Sequence, residues 1–154
     1  MKLFRLTKRK YADDLTGKGA SISGGRWNSK TIPMVYCSEH PALAVLEVSV
    51  HFNLRILHPD FVMVTYEVSD EILIREIKRE TLEEGWDSPL HKVSTQIKGD
   101  EFYQLNKEEI LKVPSAVSPN SFNYLLHPNS KYILGIRPTE ISDFPVSKFQ
   151  RLKA

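Results

Sequence analysis

A single cysteine, Cys37, is all that 154 residues contain. It has no partner for an intrachain disulfide, so a disulfide scaffold is excluded and a reducing compartment, the cytoplasm, is the expected location. Long apolar runs are missing as well. None approaches the roughly 20 residues of a membrane-spanning helix. The opening MKLFRLTKRKYADD lacks the apolar core and small-residue cleavage site of a secretory leader. Nor does one sign of charge dominate: Lys and Arg total 21 against 19 Asp and Glu. That balance does not call for direct nucleic-acid binding. The basic residues gather at the two ends, as Lys2, Arg5, Lys8, Arg9 and Lys10 and as Lys148, Arg151 and Lys153. A solvated surface accounts for them, as would contact with an anionic ligand or partner.

Motifs for metals and bound nucleotides are absent. His40, His51, His58, His91 and His127 form no HxxxH or HExxH pair, so no metal site is expected. There is no GxxxxGK[ST], and Gly17, Gly19, Gly24 and Gly25 do not make GxGxxG. No resident cofactor is expected either. Repeats and low-complexity stretches are missing too.

What is present fits one domain spanning residues 1–154, long enough to bury a sizeable core. Residues 1–7, 31–37 and 61–68 read as strands, and 71–77 lean the same way. Residues 15–30 hold four of the seven glycines and read as a loop over a site, or a mobile one. Ser38 reads as the N-cap of a helix running to about Phe52, with Leu43, Leu46 and Val50 as its apolar stripe. Residues 89–104 read as a second helix, weakened at Gly99. Residues 110–114, 131–137 and 144–151 read as short strands or extended segments. This irregular order predicts an α+β fold with a compact mixed β-sheet, not a doubly wound parallel one.

Three segments carry the chemistry. In GGRWN (24–28) the glycines allow φ > 0 or close backbone approach, Arg26 offers a planar fork suited to phosphate, and Trp27 can anchor the loop. A plain turn with a surface arginine fits the same letters. Glu47 sits about 40° from Leu43 and 60° from Val50 around a helix. It therefore borders the apolar stripe, where a carboxylate must be paired or working. A salt bridge to Arg5, Arg26 or Arg55 is one reading and a catalytic role the other. In VPSAVSPNSFNYLLHP (113–128), a surface loop by composition, Ser115 and Asn123 are placed to present polar groups inward if Leu125 and Leu126 anchor it. Cys37, ending an apolar strand, reads as a buried structural thiol.

Taken in order, LFRLTKRKYA, GKGASISGGRWNSKTIPMVYCSEHPALAVLEVSVH, VPSAVSPNSFNYLLHP and FQRL resemble the RES-domain family, toxins of bacterial RES–Xre toxin–antitoxin pairs. The family's eponymous Arg, Glu and Ser fall on Arg26, Glu47 and Ser115, and its strand tyrosine on Tyr36. Two positions depart from the family pattern: His127 stands where Asn is frequent, and Phe102 where Trp is common.

The resemblance implies a fold similar to the ADP-ribosyltransferase toxins and NAD+ as substrate, cleaved at the nicotinamide–ribose bond by hydrolysis or phosphorolysis to arrest growth. It also implies an Xre-like antitoxin occluding the cleft, and allows a dimer within that complex. Cleavage passes through an oxocarbenium-like transition state that one carboxylate can stabilise. Glu47, Arg26 and Tyr36 are thus the expected catalytic residues. Arg26, Trp27, Tyr36, Ser115 and Asn123 are expected to bind substrate, with Tyr36 stacking on the nicotinamide ring. Two other readings remain at this stage: a mono-ADP-ribosyltransferase acting on a protein, and a non-catalytic binding module.

Overall fold

Apolar and β-branched residues make up most of the strand-forming runs, and the computed structural model joins seven of them in one sheet. It describes residues 1–90 and 93–150, so His91, Arg151 and Lys153, like the Arg55 side chain, lie outside the described residues. In chain order the elements are β1 (Lys2–Lys8), α1 (Lys18–Ser23), β2 (Val35–Ser38), α2 (Pro41–Ser49), β3 (Phe61–Glu67), β4 (Ile74–Glu76), α3 (Val93–Leu105), β5 (Ile110–Pro114), β6 (Phe122–Leu126), α4 (Lys131–Gly135), β7 (Pro138–Asp143) and α5 (Val146–Gln150). The strand order is β4-β5-β6-β2-β1-β3-β7. Only β4 and β5 run parallel, so the sheet is mixed and the fold α+β, as expected.

Strand alternation sorts the core onto two faces. On one face Leu3, Val35, Cys37, Val64, Tyr66, Ile110 and Leu126 form a continuous cluster with Ile133 of α4. The other face is covered in two separate pieces. Met34, Leu111, Val113 and Leu125 pack with Trp27, Trp86 and Phe102. Leu6 and Phe61 pack with Ala44 of α2, Leu57, Phe144 and Val146. Between these pieces runs a polar strip.

Several local expectations are corrected. The N-cap of α2 is His40, whose Nδ1 accepts the Ala42 N–H at 3.1 Å, because Ser38 is still in β2. The buried side of α2 is Leu43 and Ala44, while Leu46 and Val50 are 40% and 53% exposed. The loop read over 15–30 contains α1. Residues 122–126, read as loop, are β6, held between β5 and β2. Segments 131–137 and 144–151, read as extended, hold helices α4 and α5, and β7 lies between them. The strand read over 31–37 is β2, which begins only at Val35, after Pro33. Cys37 is buried, and burial pushes its thiol up to about 12, so it stays protonated.

No described helix is long and apolar enough to cross a membrane. Among the described residues no three or more His, Cys, Asp or Glu side chains are grouped to hold a metal ion. The basic N-terminal segment is engaged with the chain itself: Arg5 donates to the Asp14 carbonyl at 2.7 Å and Arg9 pairs with Asp143.

Candidate active site

The polar strip begins where β2, β5 and β6 approach α2. Register pairs Ser38 with Asn123 and places Val113 opposite Asn123, so Ser115 continues the same edge. Glu47 lies one helical turn beyond Leu43 and Ala44, on the side of α2 that faces the sheet. Its Oε1 accepts from Ser115 Oγ at 2.8 Å and from Asn123 Nδ2 at 2.5 Å. Each donor is itself fixed. Ser115 Oγ accepts the N–H groups of Val117 (3.1 Å) and Ser118 (3.0 Å), and Asn123 Oδ1 accepts from Ser38 Oγ at 2.7 Å.

Among the described residues Glu47 is therefore held by neutral donors, with no salt bridge to Arg5 or Arg26; the Arg55 side chain lies outside them. Two hydrogen bonds to one oxygen fix its rotamer while the other oxygen takes no part in them. Ser115 and Asn123, expected to bind substrate, spend these groups on orienting Glu47, and with exposures of 1% and 8% they lie beneath it.

Arg26 reaches the strip from the tight turn 25–28, closed by the Gly25 N–H donating to the Asn28 carbonyl at 2.9 Å. Gly24 supplies φ of 70°, and a Cβ on Gly25 would lie 2.7 Å from the Tyr36 hydroxyl, so both glycines of GGRWN are required sterically. Asn28 is the hub of the turn. Its Nδ2 donates to the carbonyls of Ala20 and Ile32, both at 2.9 Å, and its Oδ1 accepts the Tyr36 hydroxyl at 2.6 Å. Helix α3 grips the same turn from outside: Gln96 Nε2 donates to the Gly25 carbonyl at 2.9 Å, and Asp100 accepts the Ser29 N–H at 2.9 Å. Gly99 fits directly under the Trp27 carbonyl, where a Cβ would come within 1.7 Å.

The Arg26 guanidinium donates to the carbonyls of Trp86 (2.7 Å) and Ser88 (2.9 Å). Partial burial lowers its pKa from the ordinary value, and the negative charges of Glu47 and Asp87 oppose that shift. Arg26 and Glu47 thus act on one another electrostatically without a direct ion pair.

Trp27 is 2% exposed and meets Trp86 with ring centroids 5.9 Å apart, so its side chain anchors the loop. Tyr36 is partly exposed, yet its hydroxyl both donates to Asn28 and accepts the Trp27 N–H at 3.2 Å. Burial, above all, raises its pKa.

The tyrosine hydroxyl therefore holds the arginine turn. Replacing Tyr36 with Phe should cost about 1–3 kcal/mol, because two polar groups lose a partner under the loop. KM for the substrate should rise with it. A Phe variant with wild-type melting and kinetics would leave ring stacking as the residue's whole contribution.

Asn28, Gln96, Asp100 and Trp86 were not singled out in the sequence, though GGRWN contains the first. A cavity of about 250 Å³ opens beside the Ser115 turn, lined by Lys78, Arg79, Asn120, Ser121 and Phe122 among others. Glu47 and Arg26 lie outside its lining. The two positions that depart from the family pattern meet one another: Phe102 and His127 pack edge to face at 5.4 Å, and His127 also stacks on Tyr103 at 4.9 Å.

Comparison with known proteins gives one consistent picture. A family model described as RES domain matches residues 2–147. A protein of Photorhabdus laumondii named "Toxin Res" is 36% identical over 85% of this chain and 84% of its own. One from a Sphingobium strain named "Prs ADP-ribosylating toxin" is 38% identical over 84% and 82%. Among solved structures, that of the M. tuberculosis MbcT–MbcA toxin–antitoxin complex superposes with a TM-score of 0.75. It covers 98% of this chain and 87% of that one at 18% identity.

Proposed function

Since the chain belongs to the RES-domain family and is a RES-domain toxin, we propose that it cleaves the nicotinamide–ribose bond of NAD+. The observation that carries this reading is the Glu47 carboxylate, fixed by Ser115 and Asn123 and within electrostatic reach of Arg26. Nicotinamide leaves as a neutral molecule, so departure needs no general acid. The positive charge developing on the ribose needs a fixed anion, which Glu47 supplies. Its second oxygen is suited to accept a ribose hydroxyl. Arg26 contributes a planar donor fork for the diphosphate, and the exposed part of Tyr36 a surface for the cationic ring.

The acceptor is water or phosphate in this reading. A protein side chain is the second reading, favoured by the name of the Sphingobium relative. Incubating the purified protein with labelled NAD+ separates them: free ADP-ribose marks hydrolysis, ADP-ribose phosphate marks phosphorolysis, and labelled protein marks transfer. No release of nicotinamide under any of these conditions would overturn the proposal.

Growth arrest by such an enzyme requires a restraint, and we place an Xre-like antitoxin over the cleft. A carboxylate from it would fit the donor fork of Arg26. Arg26→Ala should therefore raise KM for NAD+ about tenfold or more and weaken antitoxin binding, and Lys should rescue only in part. Steady-state kinetics with each variant check the first half and titration with antitoxin the second. Complete rescue by Lys would reduce Arg26 to a point charge.

A further inference from the structure

Arg79 lies outside every motif that drew attention in the sequence. Its Nη2 donates to the Ser115 carbonyl at 3.1 Å. Its guanidinium lies over the Trp86 ring, 5.0 Å from the centroid, and Nη1 is 3.6 Å from Asp87. Trp86 in turn gives its carbonyl to Arg26 and its ring to Trp27. Three independent contacts therefore hold one planar cation between the turn that orients Glu47 and the segment that engages Arg26.

Apart from Glu47, the Ser115 turn is held from within and by its flanking strands: the Ser115 N–H donates to the Ser121 carbonyl at 2.8 Å, and Ser115 Oγ accepts from Val117 and Ser118. Arg79 supplies a long-range tether from the segment after β4. A neutral side chain could fill the space, but only a fork-shaped cation can meet the carbonyl, the indole face and Asp87 together.

We propose that Arg79 is a positioning residue that sets the Glu47 carboxylate through the Ser115 turn and couples this setting to the Arg26 arm through Trp86. The proposal rests on the reading of Glu47 as the residue that stabilises the ribose cation. Arg79 itself touches no reacting atom.

The test is the kcat and KM of Arg79→Lys, Arg79→Gln and Arg79→Ala for nicotinamide release, with melting curves for each. Misplacing the carboxylate should lower kcat about 10–100-fold for Ala. KM should stay within about twofold, since the ground state does not yet carry the charge that Glu47 stabilises. Lys, which keeps charge but not the fork, should recover only part. In a Ser115→Ala background, Arg79→Ala should add little, because the turn it controls no longer reaches Glu47.

Unchanged kcat with lowered melting would make Arg79 ordinary scaffolding and overturn the proposal. A risen KM with unchanged kcat would make it a substrate contact, which also overturns it. Effects that multiply with Ser115→Ala would do the same. Should Arg79→Ala fail to fold, Arg79→Gln, which keeps part of the stem over Trp86, carries the comparison. If the wild-type protein releases no nicotinamide, the NAD+ reading fails by itself. The same cycle is then read by growth arrest in expressing cells, where equal toxicity of wild type and all Arg79 variants overturns the positioning role.

Discussion

Glu47→Gln is expected to reduce nicotinamide release at least about 10²–10³-fold while leaving the melting curve almost unchanged. The amide oxygen of Gln can still accept from Ser115 Oγ and Asn123 Nδ2, so the two contacts that fix the side chain survive. Shape is kept as well. What disappears is the negative charge, and with it the stabilisation of a cation that exists only in the transition state, together with the second oxygen as an acceptor for the ribose hydroxyl. The loss should therefore fall on kcat, with KM moving little. Release within about threefold of wild type would show that Glu47 is a structural acceptor and that the charge comes from elsewhere.

Gly99→Ala should have the largest effect on stability. In an ordinary helix this change gains up to about 1 kcal/mol. Here the new methyl would lie 1.7 Å from the Trp27 carbonyl oxygen and 2.7 Å from its carbon, both backbone atoms that cannot swing aside. The overpacking cost, about 3 kcal/mol at the upper end of its usual range, exceeds the propensity gain. The net loss of about 2 kcal/mol or more should lower Tm by roughly 4–8 °C for a chain of this size. Because Trp27 follows Arg26 directly, KM for the substrate should rise as well. Thermal melts paired with kinetics check both parts, and a variant as stable as wild type would mean that α3 does not seat the turn this closely.

The outcome for Gly99 shows what could be read from the letters and what could not. In the sequence Gly99 reads as a weak point of a helix; the fold makes it the place where a distant loop comes closest. Strand β3 was legible because its apolar or β-branched residues stand together in FVMVTY, and β1 and β5 because apolar residues flank a single charge in LFRL and ILKV. β6 was not, because Ser, Asn and Pro on its approach gave FNYLL the composition of a loop. β7, PTEISD, is an edge strand with mostly exposed side chains, so it lacks an apolar run. Helices α4 and α5 have five residues each, too few to display a period of 3.6.

Arg26, Tyr36, Glu47 and Ser115 were legible as members of motifs. Their roles were less so, because these depend on partners far away in the chain: Trp86 for Arg26, Ser115 for Glu47, and α3 for the whole GGRWN turn. Glu47 was placed correctly beside the buried side of α2, even though Leu46 and Val50 do not belong to it.

The divided cover on one face of the sheet bears on how the site can open. Glu47 rides on α2, which is rooted in the cluster of Leu6, Phe61 and Phe144. Arg26 rides on a turn rooted in the cluster of Trp86, Phe102 and Leu125. The two charged groups thus belong to different rafts on a shared floor, and no residue of one cluster is counted in the other. Their separation is a property of how the rafts lie, and a slide of the α2 raft would have to break the Ser115 and Asn123 bonds to Glu47 before any strand hydrogen bond. Amide exchange should accordingly find the floor strands slowest and the seam between the rafts the first place to breathe.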